Sequence, residues 1–407
     1  MNNILYICGA MSNRMEEIRT NSRLNLTYST NVFETGVING FRQNNSKNVS
    51  ILSLPSTQKY PKHYKKRYFN ESVSDFNGNK WTIGGYSTLP VLQNIGIYSA
   101  AKRNITKWVK EDEKNRTVIF NKMSLNLMLA IKSVKKEYPN LKVCLFILDL
   151  PQFNNYKGIK SKIYALLTKT CYNLLKYVDS YILISEYMKD PLNIGEKPYM
   201  VLEGIYNITE ESSKEELKAK EKVILYTGAL HLKYGIKDLL DAFCKITDSD
   251  CRLWISGDGE AKSLVENYVA TDNRIKYFGM LKQHEDVLVL QKKARILVNP
   301  SRPNEEFVKY NFPSKIIEYM ASGTPVVMHN LQGVPNEYKK YLVLIPNNSV
   351  QSLYEAMNEW CEKPMAELQF FGNAAKNFIF ENKNAKTQSQ RIIDFLSNYK
   401  IDKNFSK

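Results

Sequence analysis

The 407-residue sequence predicts an α/β protein built from two doubly wound, Rossmann-like domains. Three observations carry that prediction. Short apolar runs alternate with helical patterns over most of the chain, the alternation in the second half has regular βα spacing, and a polar, charged stretch at 204–221 separates two such series. Domains cluster near roughly 100–200 residues, so this length suits two of them. We assign 1–205 to the first domain and 206–383 to the second. The segment 384–407 carries a helix at about 384–398, after the second sheet is complete, and is expected to cross back onto the first domain.

In the first domain the strands are "NILYICG", ending at Gly9, then "NVSILSLP", "TVIFNK", "KVCLFILDLP" and "SYILISE". Helical segments fall around 31–43, 125–137 and 159–178. The stretch 56–87, which contains "KYPKHYKKRYF", has no clear period and reads as a long, mobile loop. The second domain is more regular. "KVILYTG" is followed by the helix "YGIKDLLDAFCKI", the strand "CRLWISGDG", the helix "EAKSLVENYVA", the strand "RIKYFGM", the helix "EDVLVLQKKA" and the strand "RILVNPS". Gly228, Gly257, Gly259 and Gly279 all fall at the carboxyl ends of these strands, where open parallel sheets bind ligands.

"NFPSKIIEYMASGTPVVM" (311–328) then forms a helix of about ten residues running into a strand. Pro313 suits its first turn, and Gly323 suits a left-handed residue just past its end. Pro313, Ile316, Ile317 and Met320 share one face, while Ser314, Lys315 and Glu318 share the other. That polar edge is either a solvated face with an i, i+3 pair or part of a site.

Composition narrows the partners. Of the formal charge of +16, residues 1–200 carry +15 (29 Lys/Arg against 14 Asp/Glu) and residues 201–407 carry +1 (28 against 27). The basic first half implies an anionic partner, and the interleaved Lys/Tyr of 59–68 and the lysine-flanked helix 157–177 suit an anionic membrane surface. The alternatives are general solubility and, for the helix, an ordinary apolar face turned inward. No run is long and apolar enough to span a membrane, and the opening residues lack a signal-peptide pattern, so a cytoplasmic protein is expected. The six cysteines form no C-x-x-C pair, and the four histidines share no metal-ligand spacing, so neither disulfides nor a metal is expected.

The ordered series "YTGALHLKYGIKDLLDAF", "LWISGDGE", "KYFGM", "ILVNPSRP", "FPSKIIEYMASGTPVV" and "GVPNEY", over about 220–340, resembles the GT-B glycosyltransferases, especially the family 4 type. The resemblance implies two Rossmann-like domains facing a cleft, and transfer of a sugar from a nucleoside-diphosphate donor bound by the second domain, with no cofactor and no metal. It implies that Ser314 and Lys315 meet the diphosphate and that Glu318 binds both ribose hydroxyls. Growing charge on a leaving diphosphate calls for a cation and aligned N–H donors, and a carboxylate can accept from a vicinal diol. Gly9, Gly228, Gly257, Gly279 and Met280 are the backbone and loop positions the donor would approach. The family's other glutamate, eight residues before Glu318, is replaced by Tyr310, and Glu306 is the candidate to meet the donor sugar; otherwise it is a surface acid. Ala229 and Tyr234 occupy the places of the family's diphosphate-binding Arg and Lys, so Lys233 and Arg302 are candidates to assist Lys315. In "FILDLP" Leu148 replaces a histidine, which leaves Asp149 as general base or acceptor ligand, or as a turn cap.

The expected acceptor is a glycan on a polyprenyl diphosphate carrier, as in exopolysaccharide, capsule or lipopolysaccharide synthesis, with the enzyme peripheral at the inner face of the cell membrane and no nucleic acid bound. Two other readings are a degenerate nucleotide-sugar-binding partner protein, suggested by the missing Arg, Lys and His, and a nucleotide-sugar 2-epimerase on the same fold.

Overall fold

The computed structural model describes residues 3–11, 14–23, 29–55, 57–76, 78–111, 115–151, 159–208, 221–281 and 283–398. Most of the charged stretch expected at the domain boundary (209–220), and 399–407, lie outside the described residues. The chain forms two compact units, Met1–Ile205 with Ala385–Lys407, and Tyr206–Asn384.

Unit 1 contains β1 (Asn3–Cys8), α1 (Met15–Asn21), α2 (Ser29–Gln43), β2 (Val49–Ser53), β3 (Tyr68–Phe69), β4 (Ser72–Phe76), β5 (Asn79–Ile83), β6 (Tyr86–Ser87), α3 (Leu92–Glu111), β7 (Arg116–Phe120), α4 (Leu125–Glu137), β8 (Lys142–Ile147), α5 (Ile159–Leu174), β9 (Ser180–Leu183), α6 (Lys189–Leu192) and β10 (Tyr199–Val201). Its main sheet runs β10-β9-β8-β7-β1-β2-β5-β4, parallel except for β4 against β5. The near-continuous burial of β1, β7 and β8 is what a parallel sheet covered on both faces requires.

The mobile loop expected at 56–87 is a correction. β5 extends the sheet beside β2, β4 returns antiparallel to it, and β3 pairs with β6. Trp81 and Ile83 supply the buried face of β5, and the Trp81 indole donates to Ser53 Oγ at 2.9 Å. The basic residues of this region are partly tethered: Lys66 pairs with Glu17 at 3.1 Å, and Arg67 lies over the Tyr60 ring.

On α5 the apolar residues Ile163, Leu166 and Leu167 are 56%, 66% and 40% exposed, so this row does not pack inward. They fall within about a third of a turn of one another, with the exposed Lys162 and Lys169 along one flank.

Unit 2 contains β11 (Lys222–Thr227), α7 (Ile236–Phe243), β12 (Cys251–Ser256), α8 (Lys262–Thr271), β13 (Ile275–Tyr277), α9 (His284–Lys293), β14 (Ile296–Asn299), α10 (Lys315–Ala321), β15 (Val326–His329), α11 (Asn336–Lys339), β16 (Val343–Ile345), α12 (Val350–Glu362) and α13 (Met365–Asn382). The sheet is wholly parallel, in the order β13-β12-β11-β14-β15-β16. Side chains of β11 alternate between two cores: Ile224 and Tyr226 face α7, α8 and α12, whereas Val223 and Leu225 face α10 and α13. The strand order reverses beside β11, between β12 on one side and β14 on the other. In open parallel sheets such a switch point, here at the carboxyl ends of β11 and β14, is where ligands bind.

The last helix, α14 (Ala385–Asn398), belongs to unit 1 and packs on α2. Gly40 permits this approach, because a Cβ there would collide with the Ala385 carbonyl. Ser389 Oγ donates to the Val37 carbonyl at 3.0 Å, and Gln388 Nε2 donates to that of Gly204 at 2.7 Å.

Candidate functional site

Three glycine turns close the carboxyl ends of β11, β12 and β13. Gly228 (φ +141°), Gly257 (φ +149°) and Gly279 (φ +66°) occupy backbone conformations that side chains disfavour. The Gly228 N–H donates to the Ser256 carbonyl, and the Gly257 N–H to that of Gly279, both at 2.9 Å. A Cβ on Gly257 would strike the Gly228 carbonyl. The turns therefore form one stitched shelf, and the first two meet because Gly257 carries no side chain at the contact.

Lys315, the first residue of α10, reaches over this shelf. Its Nζ donates to the Tyr226 hydroxyl at 2.9 Å and stands 4.2 Å from the centroid of that ring. A Cβ added to Gly228 would lie 2.5 Å from it. The Tyr226 hydroxyl itself donates to the Ala229 carbonyl at 2.8 Å, leaving its lone pairs to Lys315. Burial of the ammonium lowers its pKa to about 8, with Glu318 one turn along opposing the fall. The result is a cation stripped of much of its water and held against a phenol ring and hydroxyl.

Glu318 lies on the same face of α10. Gln291 Nε2, from α9, donates to its Oε1, and His284 Nε2 stands 3.4 Å from its Oε2. The next residue pins the helix to the sheet: the Tyr319 hydroxyl accepts from the Thr227 N–H at 2.8 Å and donates to the Thr227 carbonyl at 2.9 Å. Gly323 has the left-handed φ (+74°) that ends the helix, which spans seven residues rather than about ten. Ser314 is its N-cap, exposed and with no side-chain capping bond.

The other predicted residues of unit 2 separate into three groups. Gly279 and Met280 remain at the shelf, and Met280 is 60% exposed. Glu306 opens a 3₁₀ turn, Glu306–Tyr310, whose Phe307 packs against Tyr234, while Lys233 lies 5.2 Å from both rings. Lys233 thus caps aromatic faces rather than the Lys315 shelf. Arg302 departs furthest from its expected role. Its guanidinium grips both oxygens of Asp238 on α7, so its charge is already matched.

Gly9 and Asp149 lie in unit 1. The Gly9 N–H donates to Glu34 Oε2 at 2.9 Å, and a Cβ on Gly9 would meet that carboxyl at 3.3 Å, so this glycine makes room for Glu34. Asn121 Nδ2 donates to Glu34 Oε1 at 3.1 Å, and burial raises the Glu34 pKa. Asp149, two residues past β8, is exposed, and desolvation on its protein side raises its carboxyl pKa. Among the described residues no group of three or more His, Cys, Asp or Glu is placed to hold a metal ion.

Sequence reading did not find Tyr226, Gln291 or Glu34. Tyr226 and Gln291 sit in otherwise apolar runs, and their partners lie 89 and 27 residues away in sequence. A polar residue on the inward face of a helix, as Gln291 is in "EDVLVLQKKA", was the one signal available.

Residues 221–363 match the model of the Glycosyl transferases group 1 family, a span that lies within unit 2. No curated protein matches the sequence. Solved structures resemble nearly the whole chain. The E. coli trehalose-6-phosphate structure bound with UDP-2-fluoro glucose has a TM-score of 0.66 at 9% identity, covering 98% of this chain and 99% of that one. Sucrose-phosphate synthase from Thermosynechococcus elongatus has a TM-score of 0.64 at 15% identity, covering 98% of each chain. The lipopolysaccharide outer core galactosyltransferase WaaB, in its apo form, has a TM-score of 0.62 at 17% identity, covering 97% and 99%. At these identities the likeness establishes the fold, which is GT-B.

Proposed function

We propose that this GT-B chain, whose second unit matches Glycosyl transferases group 1, is a glycosyltransferase that moves a sugar, in our reading a hexose, from a nucleoside diphosphate to a glycan acceptor without a metal ion. One observation carries the reading: the Lys315 ammonium is held above Gly228, one helical turn from the Glu318 carboxylate, at the switch point of the unit 2 sheet. A diphosphate and a ribose diol, linked as in a nucleoside diphosphate, match that pair in charge and spacing. Lys315 stabilises the leaving diphosphate as its charge grows, and Glu318 accepts from the ribose hydroxyls. Because α10 is a single short helix, its dipole adds little, and the charge falls on the lysine. Glu306 contacts the donor sugar, and Asp149 contacts the acceptor hydroxyl.

The test is a thermal-shift screen of nucleoside-diphosphate sugars, since a ligand of the folded state raises the melting temperature. At least one should do so, and Glu318→Gln should weaken it about tenfold or more, because a charge-assisted hydrogen bond contributes roughly 1.5–3 kcal/mol. No shift with any member of the panel would end this reading. A second reading, a nucleotide-sugar-binding partner without catalysis, is favoured by the commitment of Arg302 to Asp238, which leaves Lys315 to meet the diphosphate alone. Slow donor hydrolysis by the purified chain, absent in Lys315→Ala, would exclude it.

For the acceptor we propose a polyprenyl-diphosphate-linked glycan of cell-surface polysaccharide synthesis, reached by peripheral docking at the cytoplasmic face of the membrane. The outward apolar row of α5, the lysines beside it and the basic first half support this. Among the described residues no helix is long and apolar enough to cross a membrane.

A further inference from the structure

Glu318 is not a free carboxylate waiting on a helix surface. Two residues of α9, seven apart and so on one face, approach its two oxygens. The contacts differ in kind. His284 is 57% exposed and stands 3.4 Å away, a loose solvent-side approach, whereas Gln291 is fully buried.

The Gln291 side chain has an unusual balance of satisfied and unsatisfied atoms. Its Nε2 donates to Glu318 Oε1 and approaches Thr227 Oγ1 at 3.3 Å, yet its own Oε1 is buried with no partner. Turning the amide over would point a carbonyl oxygen at a carboxylate, so the observed orientation is the one chemistry allows. A buried acceptor left unpaired is a cost that packing alone does not explain, and an apolar side chain of the same length would avoid it. The backbone beneath is fixed as well, since Thr324 Oγ1 donates to the Gln291 carbonyl at 2.8 Å. What the amide accomplishes is to fix one oxygen of Glu318, and with it the plane in which the other oxygen and the remaining lone pairs face outward.

We propose that Gln291 is a positioning residue that makes this site selective for a nucleoside diphosphate bearing a ribose diol over its 2′-deoxy counterpart. The proposal rests on the nucleotide-sugar reading above. A vicinal diol presents two hydroxyls at fixed separation, and a carboxylate meets both only when its plane is set in advance; a single hydroxyl is met by a rotating carboxylate nearly as well. Gln291 touches no substrate. Its effect passes through the geometry of Glu318.

The experiment measures, by calorimetry, the affinity for each nucleoside diphosphate of a ribo/2′-deoxy pair, on the full chain and on Gln291→Met, Glu318→Gln and the double variant. Wild type should prefer the ribonucleotide about tenfold, one charge-assisted hydrogen bond being the difference. Gln291→Met, similar in length and without the orphaned acceptor, should keep the melting temperature, keep the deoxynucleotide affinity within about twofold, and lose most of the preference. In the Glu318→Gln background the same change should have no further effect, because both residues act through one contact. A merely structural role would lower both affinities together or lower the melting temperature alone. If Met does not pack, Gln291→Asn, one methylene too short to reach Glu318, takes its place. A wild type that prefers the ribonucleotide and a Gln291 variant that still prefers it equally would overturn the proposal while leaving the nucleotide reading intact. A wild type that binds neither nucleotide would overturn both.

Discussion

Raising the pH from 7 to 9 should weaken nucleoside-diphosphate binding about tenfold, through Lys315 alone. In the free protein, burial against Tyr226 and the glycine shelf lowers the ammonium to a pKa of about 8. It is then roughly nine-tenths charged at pH 7 and one-tenth charged at pH 9. An anion that binds only the charged form has its apparent affinity reduced by that fraction, which gives the tenfold change. A bound diphosphate would raise the lysine's pKa, so the complex would hold more protons than the free protein throughout this pH range, and linkage then requires affinity to fall as pH rises. The same lowered pKa acts oppositely on the fold. Between about 8 and 10.5 the unfolded chain binds the extra proton, so this group makes the protein more stable as pH rises, and weaker binding in that window is not unfolding. Calorimetry at pH 7, 8 and 9, in buffers of different ionisation enthalpy, reads both the affinity and the proton taken up, about half a proton at pH 8. Lys315→Met gives the baseline, because titration of the ligand itself survives in it. A wild-type profile as flat as that of the variant would refute the assignment of the phosphate charge to Lys315.

Gly228→Ala should place a methyl 2.5 Å from Lys315 Nζ in a backbone conformation that alanine disfavours. Since the obstructed group is the end of a flexible chain, the fold should survive with a loss of roughly 1–3 kcal/mol by denaturant unfolding, while nucleotide affinity falls as in Lys315→Ala. Gly257→Ala meets the Gly228 carbonyl instead, and should lower the melting temperature well beyond Gly228→Ala. On the membrane side, Ile163→Ser with Leu166→Ser should weaken binding to anionic vesicles in sedimentation about thirtyfold, each partly exposed side chain losing roughly 1 kcal/mol of burial. Neutralising Lys62, Lys65, Lys66 and Arg67 should do likewise at low salt and not at high salt, and equal binding of wild type to neutral vesicles would remove the electrostatic dock.

The parts of the fold legible in the sequence were those where one periodicity dominates. β11 to β15 are short apolar runs of a parallel sheet, the central ones buried on both faces, and glycines follow β11, β12 and β13. α3 escaped notice although it is the longest helix described, because Gly96 and the polar Asn94, Asn104 and Thr106 interrupt the stripe that Ala100, Ala101, Ile105, Trp108 and Val109 bury. β4 and β5 were hidden for another reason. The middle of β4 is exposed, so its sequence, "SVSDF", carries no burial pattern, and it is pairing with β5 that makes it a strand. Lys315 and Glu318 could be singled out because both sit on one helix face. Their partners could not, because Tyr226 and Gln291 reach them only through sheet order and helix packing. The pairing of Arg302 with Asp238, 64 residues apart, was equally invisible, and it removes from the site a cation that sequence alone would supply.

The pairing of Arg302 makes Lys315 matter more. A leaving diphosphate gains negative charge, and stabilisation that grows with it must come from groups not already neutralised. Arg302 has its fork filled by a carboxylate, and Lys233 lies against two aromatic faces. Lys315 is held by a phenol hydroxyl and a ring face, partners that carry no full charge. Its ammonium is poorly solvated, and Glu318 one turn along offsets the cost of burial only in part, which is the condition for a strong response to an arriving anion. The consequence is an asymmetry between the two halves of the donor. On the proposed reading, binding of the nucleoside would follow Glu318 and the helix that orients it, while departure of the diphosphate would depend on one lysine. Lys315→Ala should therefore lower kcat more than it raises KM, whereas Glu318→Gln should act mainly on KM; steady-state kinetics in which the two variants changed kcat and KM in the same proportion would contradict that division.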